Sequence, residues 1–193
     1  MSSSSIESER PQRADAKRNR ERILESARDA FAVHGPDTQM DEVARLAGVG
    51  VGTVYRHFPT KESLLGELVR QQMERMVDNT RAGLARDGEP FAVFADVLRE
   101  NAGIASGNAA IQYAMLGAGE GVWEYAGVAQ AELIGLTEEM ITRAQRAATM
   151  RADVTAMDIP MLMCGVCATM THTKPHFDWR RHLELIIDAL RAP

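Results

Sequence analysis

The sequence predicts an all-α fold, and three observations carry that expectation. Apolar residues recur at helical spacing in one segment after another. Leu, Ala and Met dominate the interior-type residues while β-branched runs are scarce, and the periodic stretches are separated by Gly, Pro, Asp and Asn. At 193 residues, 45% hydrophobic and 25% charged, the chain has material for a substantial core in one domain, or in a small domain joined to a medium one. No apolar run approaches the ~20 residues of a membrane span, so no membrane partner is expected. Residues 1–13, MSSSSIESERPQR, have no apolar h-region and read as a disordered polar tail. Two cysteines make no disulfide framework, which points to a reducing, cytoplasmic setting.

The first periodic segment is Ala16–His34, with Ile23, Leu24, Ala27, Ala30 and Phe31 on one stripe. Gly35-Pro36 ends it, since glycine accepts a helix C-cap conformation and proline cannot continue the ladder. A second helix runs from about Met40 to Ala47 and is expected to bury Met40, Val43, Leu46 and Ala47. Thr38 or Gln39 stands at its start, and Asp41 and Glu42 suit the positive helix end. Gly48 supplies a tight turn and Val49 plugs the angle. A third helix, about Val51–Phe58, is expected to turn Val51, Val54, Tyr55 and Phe58 inward, leaving Gly52, Thr53, Arg56 and His57 outward or on the rim. Thr60 then caps a long helix with Leu64, Leu65, Leu68, Val69, Met73, Met76 and Val77 as its stripe. No flexible linker separates it from what precedes, so it reads as a rigid connector.

Further helices are expected near Pro90–Ser106, Ala109–Leu116, Tyr125–Ala148, Val154–Thr171 and His176–Leu190. They break at Asp87-Gly88, Gly107-Asn108, Gly117–Gly121 and Lys174-Pro175. Leu162, Val166 and Met170 mark an apolar stripe on one of the last two helices, and Trp179, Leu183, Ile186, Ile187 and Leu190 mark one on the other. Such a pair must bury against its own domain or a second subunit.

Met40–Lys61 therefore reads as two short helices broken at Ala47-Gly48-Val49, a shape that sets one helix in a DNA major groove. Before it lies a basic arm with Arg13, Lys17, Arg18, Arg20 and Arg22 against Asp15 and Glu21. The net charge of −5 is unevenly spread: residues 1–61 hold 10 Lys/Arg and 9 Asp/Glu, residues 62–193 hold 12 and 18. Acid in the second part would keep non-specific DNA adhesion low.

The segments ILESARDAFAVHG (23–35) and MDEVARLAGVGVGTVYRHFPTKESLL (40–65) resemble the TetR/AcrR one-component transcriptional regulators of bacteria. Ala47-Gly48-Val49, Gly52-Thr53, Tyr55-Arg56-His57-Phe58, Lys61 and Leu64-Leu65 all fall in place, and the resemblance covers about residues 14–68. It implies a homodimer of nine-helix subunits, with a helix-turn-helix DNA-binding domain over 14–60 and a ligand-binding and dimerisation domain over 61–193. It also implies double-stranded operator DNA and a small-molecule effector as partners, a repressor released by its ligand, and no cofactor or catalysis. Carried onto this sequence, the DNA-contacting set is Arg13, Lys17, Arg18, Arg20, Gly50, Val51, Gly52, Thr53, Tyr55, Arg56, His57 and Lys61. Gly50 stands where many members have Ser, which removes one expected contact or cap. The dimer face would comprise Leu162, Val166, Met170, Trp179, Leu183, Ile186, Ile187 and Leu190.

Eleven methionines point to adaptable apolar space beside the connector. Met76, Phe94, Tyr113, Trp123, Met140 and Met161 are the expected lining, with Asn108, Gln112, Tyr113 and Glu139 as polar anchors. Plain core packing is the alternative for each methionine. Cys164 and Cys167 lie inside an apolar run, where cysteine acts as a small hydrophobe; completion of a metal site by His172 and His176 would need geometry across Pro175. Gly117–Gly121 lacks the flanking elements of a phosphate cradle. A helical adaptor whose DNA face has lost function is the competing reading from another class.

Overall fold

A computed structural model describes the backbone of residues 4–115, 120–172 and 176–193, and side chains within 15–35, 37–114, 121–172 and 176–193. Within these residues the chain is all helical: α1 (Ser4–His34), a 3-10 turn (Gly35–Asp37), α2 (Met40–Ala47), α3 (Val51–His57), α4 (Lys61–Leu84), α5 (Pro90–Ser106), α6 (Ala109–Met115), α7 (Glu120–Arg146), α8 (Asp158–Met170) and α9 (Trp179–Leu190). None is long and apolar enough to cross a membrane. Where a polar tail was expected over 1–13, the helix runs back to Ser4. Glu7, Glu9, Arg10, Gln12 and Arg13 carry high helix propensity even where no apolar stripe exists to bury. The Gly117–Gly121 and Lys174-Pro175 breaks lie largely outside the described residues, with α7 beginning at Glu120.

Local chemistry sets the helix ends. Gly48 closes α2 at φ 62°, its N–H donating to Ala44 and Arg45 carbonyls, while the Val49 N–H reaches Ala44 O at 3.1 Å. Gln39 occupies the N-cap of α2 without a capping side-chain bond, its amide donating back to Asp37 O at 2.8 Å; the buried Thr38 hydroxyl donates to Gly35 O at 2.8 Å. Thr60 and Ser63 form a reciprocal capping box at the start of α4. Glu89 caps α5 by accepting from the Phe91 and Ala92 N–H groups, both at 2.8 Å.

Two apolar clusters fill the molecule. The first unites α1–α3 with the front half of α4, α6 and the start of α7, through Ile23, Phe31, Val43, Val54, Leu64 and Leu68. Side chains of this size contribute about 1.5–3 kcal/mol each when fully buried. This core runs without interruption across residue 60, so the helix-turn-helix and the connector are packed as one body. The second cluster joins α5, the end of α7, α8 and α9. Along α4 the helices approach closely: a Cβ at Gly66 would meet the Tyr125 ring at 2.4 Å, and one at Gly83 would meet Val97 Cγ2 at 2.2 Å.

Several inward expectations are reversed. Leu46 is 45% exposed, and Val51 and Tyr55 are 39% and 46% exposed; Ala44 takes the inward place on α2, while Val54 and Phe58 alone anchor α3. A seven-residue helix needs only one apolar residue per turn to dock, which frees Val51 and Tyr55 for the outer face. In the opposite sense, Val166, Leu183, Ile187 and Leu190 are buried within the subunit's own second cluster, not on its surface. They satisfy the apolar stripe internally, because α8 and α9 pack on α5 and on each other.

Candidate nucleic-acid interface and internal cavity

The outer surface of α3 begins at Gly50, whose extended backbone (φ −67°, ψ 145°) accepts N–H bonds from Thr53 at 2.8 Å and Val54 at 3.3 Å. Around Gly50 and Gly52 the space where a side chain would project is open, with no atom within 4 Å. Packing within the chain therefore does not demand glycine there, whereas close approach of another molecule's backbone would favour it. Val51, Gly52, Tyr55 and Arg56 are exposed, and Thr53 and His57 are half-buried. Among the described residues Arg56 makes no hydrogen bond or ion pair, so its five N–H donors face outward unused. Burial first, and then the charges of Arg20 and Arg56, hold the His57 imidazole below its ordinary range, which favours the neutral ring.

The basic residues of α1 divide into two groups. Lys17 and Arg18 are exposed and, among the described residues, pair with Glu21 (3.9 Å) and Asp15 on their own helix. Such pairs hold a side chain loosely and contribute little. Arg20 and Arg22 instead reach other elements of the subunit. Arg22 donates to the carbonyl of Ala47, fixing the turn before α3. Arg20 lies over the Phe58 ring at 5.2 Å and pairs with Glu67 of α4 at 3.0 Å. Arg20, expected among the DNA-contacting residues, is thus engaged within the subunit by a buried carboxylate. Lys61, half-buried at the start of α4, sits 5.8 Å above the Phe31 ring. The Arg13 side chain lies outside the described residues.

Glu67 is the centre of the link between α1 and α4. It accepts from Arg70 Nε and Nη2 at 2.9 and 2.8 Å and from Gln71 at 3.1 Å, and Gln71 in turn accepts from Arg28 of α1 at 2.6 Å. Burial would push the Glu67 carboxyl up, but the bonds from Arg70 and Arg20 outweigh it and hold the group below the usual carboxylate range. Sequence patterning gave no sign of this hub, because a Glu on a long helix reads as a solvated face.

Beside α4 lies a cavity of about 120 Å³ walled by α4, α5, α7 and α8. Four of the six expected residues line it: Met76, Phe94, Trp123 and Met140. Tyr113 packs instead on the first cluster, and Met161 is 65% exposed. Met161 and Met163 lie two positions apart on α8 and so face different sides; Met163 takes the lining place, together with Met73 of α4. The polar anchors differ as well. Asn108 caps α6 and donates to Gln72 at 3.1 Å, Gln112 donates to Ala105 and Ser106 carbonyls, and Glu139 pairs with Arg143 at the surface. The polar lining is Thr80, Asn101, Gln130 and Thr137. Cys167 also lines the cavity, its thiol pushed up to about 11 by burial and by Cys164 beside it, so it stays protonated near neutrality. Among the described residues, no three His, Cys, Asp or Glu side chains are grouped to hold a metal.

On α8 and α9 the apolar residues left outward are Met161 and Leu185, at 65% and 51% exposure, with Leu162, Met170, Trp179 and Ile186 half-buried. The two helices meet where Gly165 faces the His182 ring and Thr169 Oγ1 lies 3.1 Å from His182 Nδ1.

Comparison with known proteins matches both halves of this architecture. Residues 23–68 match bacterial regulatory proteins of the tetR family, and residues 89–192 match the C-terminal domain of SbtR-like transcriptional regulators. A TetR transcription regulatory protein from Mycobacterium vanbaalenii, of known crystal structure, is 38% identical, with 94% of this chain and 100% of that one covered at a TM-score of 0.62. A TetR transcriptional regulator from Streptomyces coelicolor is 26% identical over 90% of this chain and 98% of its own, also at 0.62. The HTH-type transcriptional regulator TtgW of Pseudomonas putida is 40% identical over 83 residues, 42% of this chain. The chain spans 62% of the length of TtgW, less than two thirds of that curated relative. With a C-terminal match over more than half its length and a helix-turn-helix match before it, the chain belongs to the TetR family of bacterial regulatory proteins.

Proposed function

We propose that this protein is a sequence-specific DNA-binding transcriptional regulator, a homodimeric repressor that a small apolar or amphipathic molecule releases from a near-palindromic operator. The observation that carries the DNA half is the outer face of α3, where Tyr55 and an unpaired Arg56 stand exposed beside the open Gly50–Gly52 end. Arg56 is suited to a guanine edge or a phosphate, and the Thr53 hydroxyl and methyl to bases or backbone. Tyr55, His57, Lys61, Lys17 and Arg18 would set register on phosphates. Two such faces in a symmetric dimer read half-sites about 34–36 Å apart, or displaced from that spacing by the docking of the subunits. For the dimer we assign the outward residues of α8 and α9, Met161 and Leu185 with Leu162 and Ile186.

The effector half rests on the cavity and its position. Met73, Met76 and Thr80 line it from α4, the same helix that begins at Lys61 and holds Arg20 of α1 through Glu67. A guest that shifts α4 would move the α3 face with it. Release requires the guest to favour the DNA-incompetent arrangement by ~1–3 kcal/mol. Selection of binding sites from a random duplex library tests the reading. An inverted repeat should emerge, and failure to enrich any sequence would favour a helical adaptor with an inactive DNA face.

A further inference from the structure

The chemistry of the cavity wall says more about the guest than its size does. Among the described residues, no Asp, Glu, Lys, Arg or His lines it. Several charged residues on the surrounding helices are engaged with one another, Arg81 with Glu132 and Asp78, Arg86 with Glu100, Arg143 with Glu139, and Arg99 with Glu184 and Asp96, while Arg75 and Glu124 are exposed to solvent. Asp158 and Glu138, beside the α8 end of the cavity, accept from Thr155 and from the Ala156 N–H. A charged head group buried here would lose its water and find no counter-charge, which is far costlier than burying a neutral one.

The four polar side chains of the wall are not equivalent. Thr80 donates to Met76 O at 2.8 Å and accepts from Asn101 at 3.0 Å; Asn101 accepts from Asn79 at 2.9 Å. Thr137 donates to Leu133 O at 2.7 Å. Gln130, half-buried on α7, makes no hydrogen bond among the described residues. Its amide offers a donor and an acceptor to whatever occupies the cavity, and an amide discriminates groups by hydrogen bonding without supplying charge.

We propose that the cavity selects an uncharged guest with an apolar body and one hydrogen-bonding group, a hydroxyl, carbonyl or amide, that pairs with the side-chain amide of Gln130. This rests on the reading of the cavity as the effector site. Its volume corresponds to on the order of ten water-sized spheres, so the body is small. The protonated thiol of Cys167 belongs to the same low-polarity wall.

Isothermal titration of the full chain with octanamide, 1-octanol, octanoate and octylammonium tests this. The amide and the alcohol should bind, and both ions should bind at least about a hundredfold more weakly. Octanoate binding should strengthen about tenfold per unit as pH falls from 8 to 6, because only the neutral acid enters. Gln130→Leu should weaken octanamide about tenfold, while Gln130→Glu should strengthen octylammonium by a similar factor. Circular dichroism of each variant establishes that it is folded. Ions binding as tightly as the neutral pair, or octanamide binding unchanged in folded Gln130→Leu, would overturn the proposal and leave the effector cavity standing. Binding of none of the four would overturn the effector reading and this proposal with it.

Discussion

Arg20 and Glu67 provide the sharpest test of how the DNA-binding helices are fastened to the connector. Both Arg20→Met and Glu67→Gln keep side-chain volume while removing charge. Four hydrogen-bonding contacts converge on Glu67, but those from Arg70 and Gln71 stay within α4; only Arg20 crosses from α1. A hydrogen bond to a charged group contributes about 1.5–3 kcal/mol. The Arg20 side chain is 39% exposed, so screening brings its share to about 1 kcal/mol. Glu67, at 9% side-chain exposure, should cost more, about 2 kcal/mol, because its loss removes the bonds from Arg20, Arg70 and Gln71 together, while Arg70 keeps Glu74. The double variant should then reveal a coupling of about 1 kcal/mol in urea unfolding. Because the folded carboxyl titrates below its unfolded value, its contribution is complete above the ordinary ~4.3 and lost as pH falls through the lower folded value. The coupling should therefore be the same at pH 8 and 6 and shrink below about pH 4. A coupling under about 0.3 kcal/mol, with Arg20→Met lowering the salt slope of DNA binding by ~1, would mean that Arg20 touches phosphate and would refute the fastening.

Four further outcomes follow from the same geometry. Gly48→Ala should destabilise by about 1–2 kcal/mol in denaturant melts, since φ 62° disfavours Ala and the new Cβ would lie 2.8 Å from Arg22 Nη2; an unchanged midpoint would contradict the assigned turn. Leu185→Asp should yield folded monomers by light scattering, while Leu183→Asp, inside the subunit core, should unfold the chain; a dimer persisting in Leu185→Asp would move the interface elsewhere. Arg56→Ala should relax preference at one base position, costing about 1–3 kcal/mol there, whereas Lys61→Ala should weaken all sequences alike and lower the salt slope by ~1. Cys167 should be labelled more slowly than Cys164 at pH 7 in iodoacetamide mass spectrometry, because burial keeps Cys167 protonated; faster loss of Cys167 would contradict this.

What was legible in the sequence follows from which forces are local. Helix ends at Gly35, Gly48 and Thr60 were readable because their caps depend on a few neighbouring residues. The bounds of α5 followed from Pro90 and Gly107 in the same way. Partition between inside and outside failed where tertiary packing decides it. Val51 and Tyr55 carry apolar or aromatic character that predicts burial, yet α3 docks through Val54 and Phe58 alone. Val166, Leu183, Ile187 and Leu190 form stripes fit for a partner, and α5 supplies that partner within the subunit. The cavity was half legible: methionine and aromatic abundance pointed to Met76, Phe94, Trp123 and Met140. Gln130 and Thr137 were invisible to periodicity, because which face of α7 meets the cavity is set by its contact with α4.

On the proposed function, α3 presents a DNA-reading face whose outward residues, not its buried ones, carry the contacts. Fluorescence anisotropy with the duplex enriched by the intact protein tests it, comparing the unaltered chain with the Tyr55→Ala, Arg56→Ala double variant at matched fold by circular dichroism. The unaltered protein should bind with salt dependence at one dimer per inverted repeat, and the double variant should lose its preference for that duplex over a scrambled one. Undiminished preference in the folded double variant would contradict it.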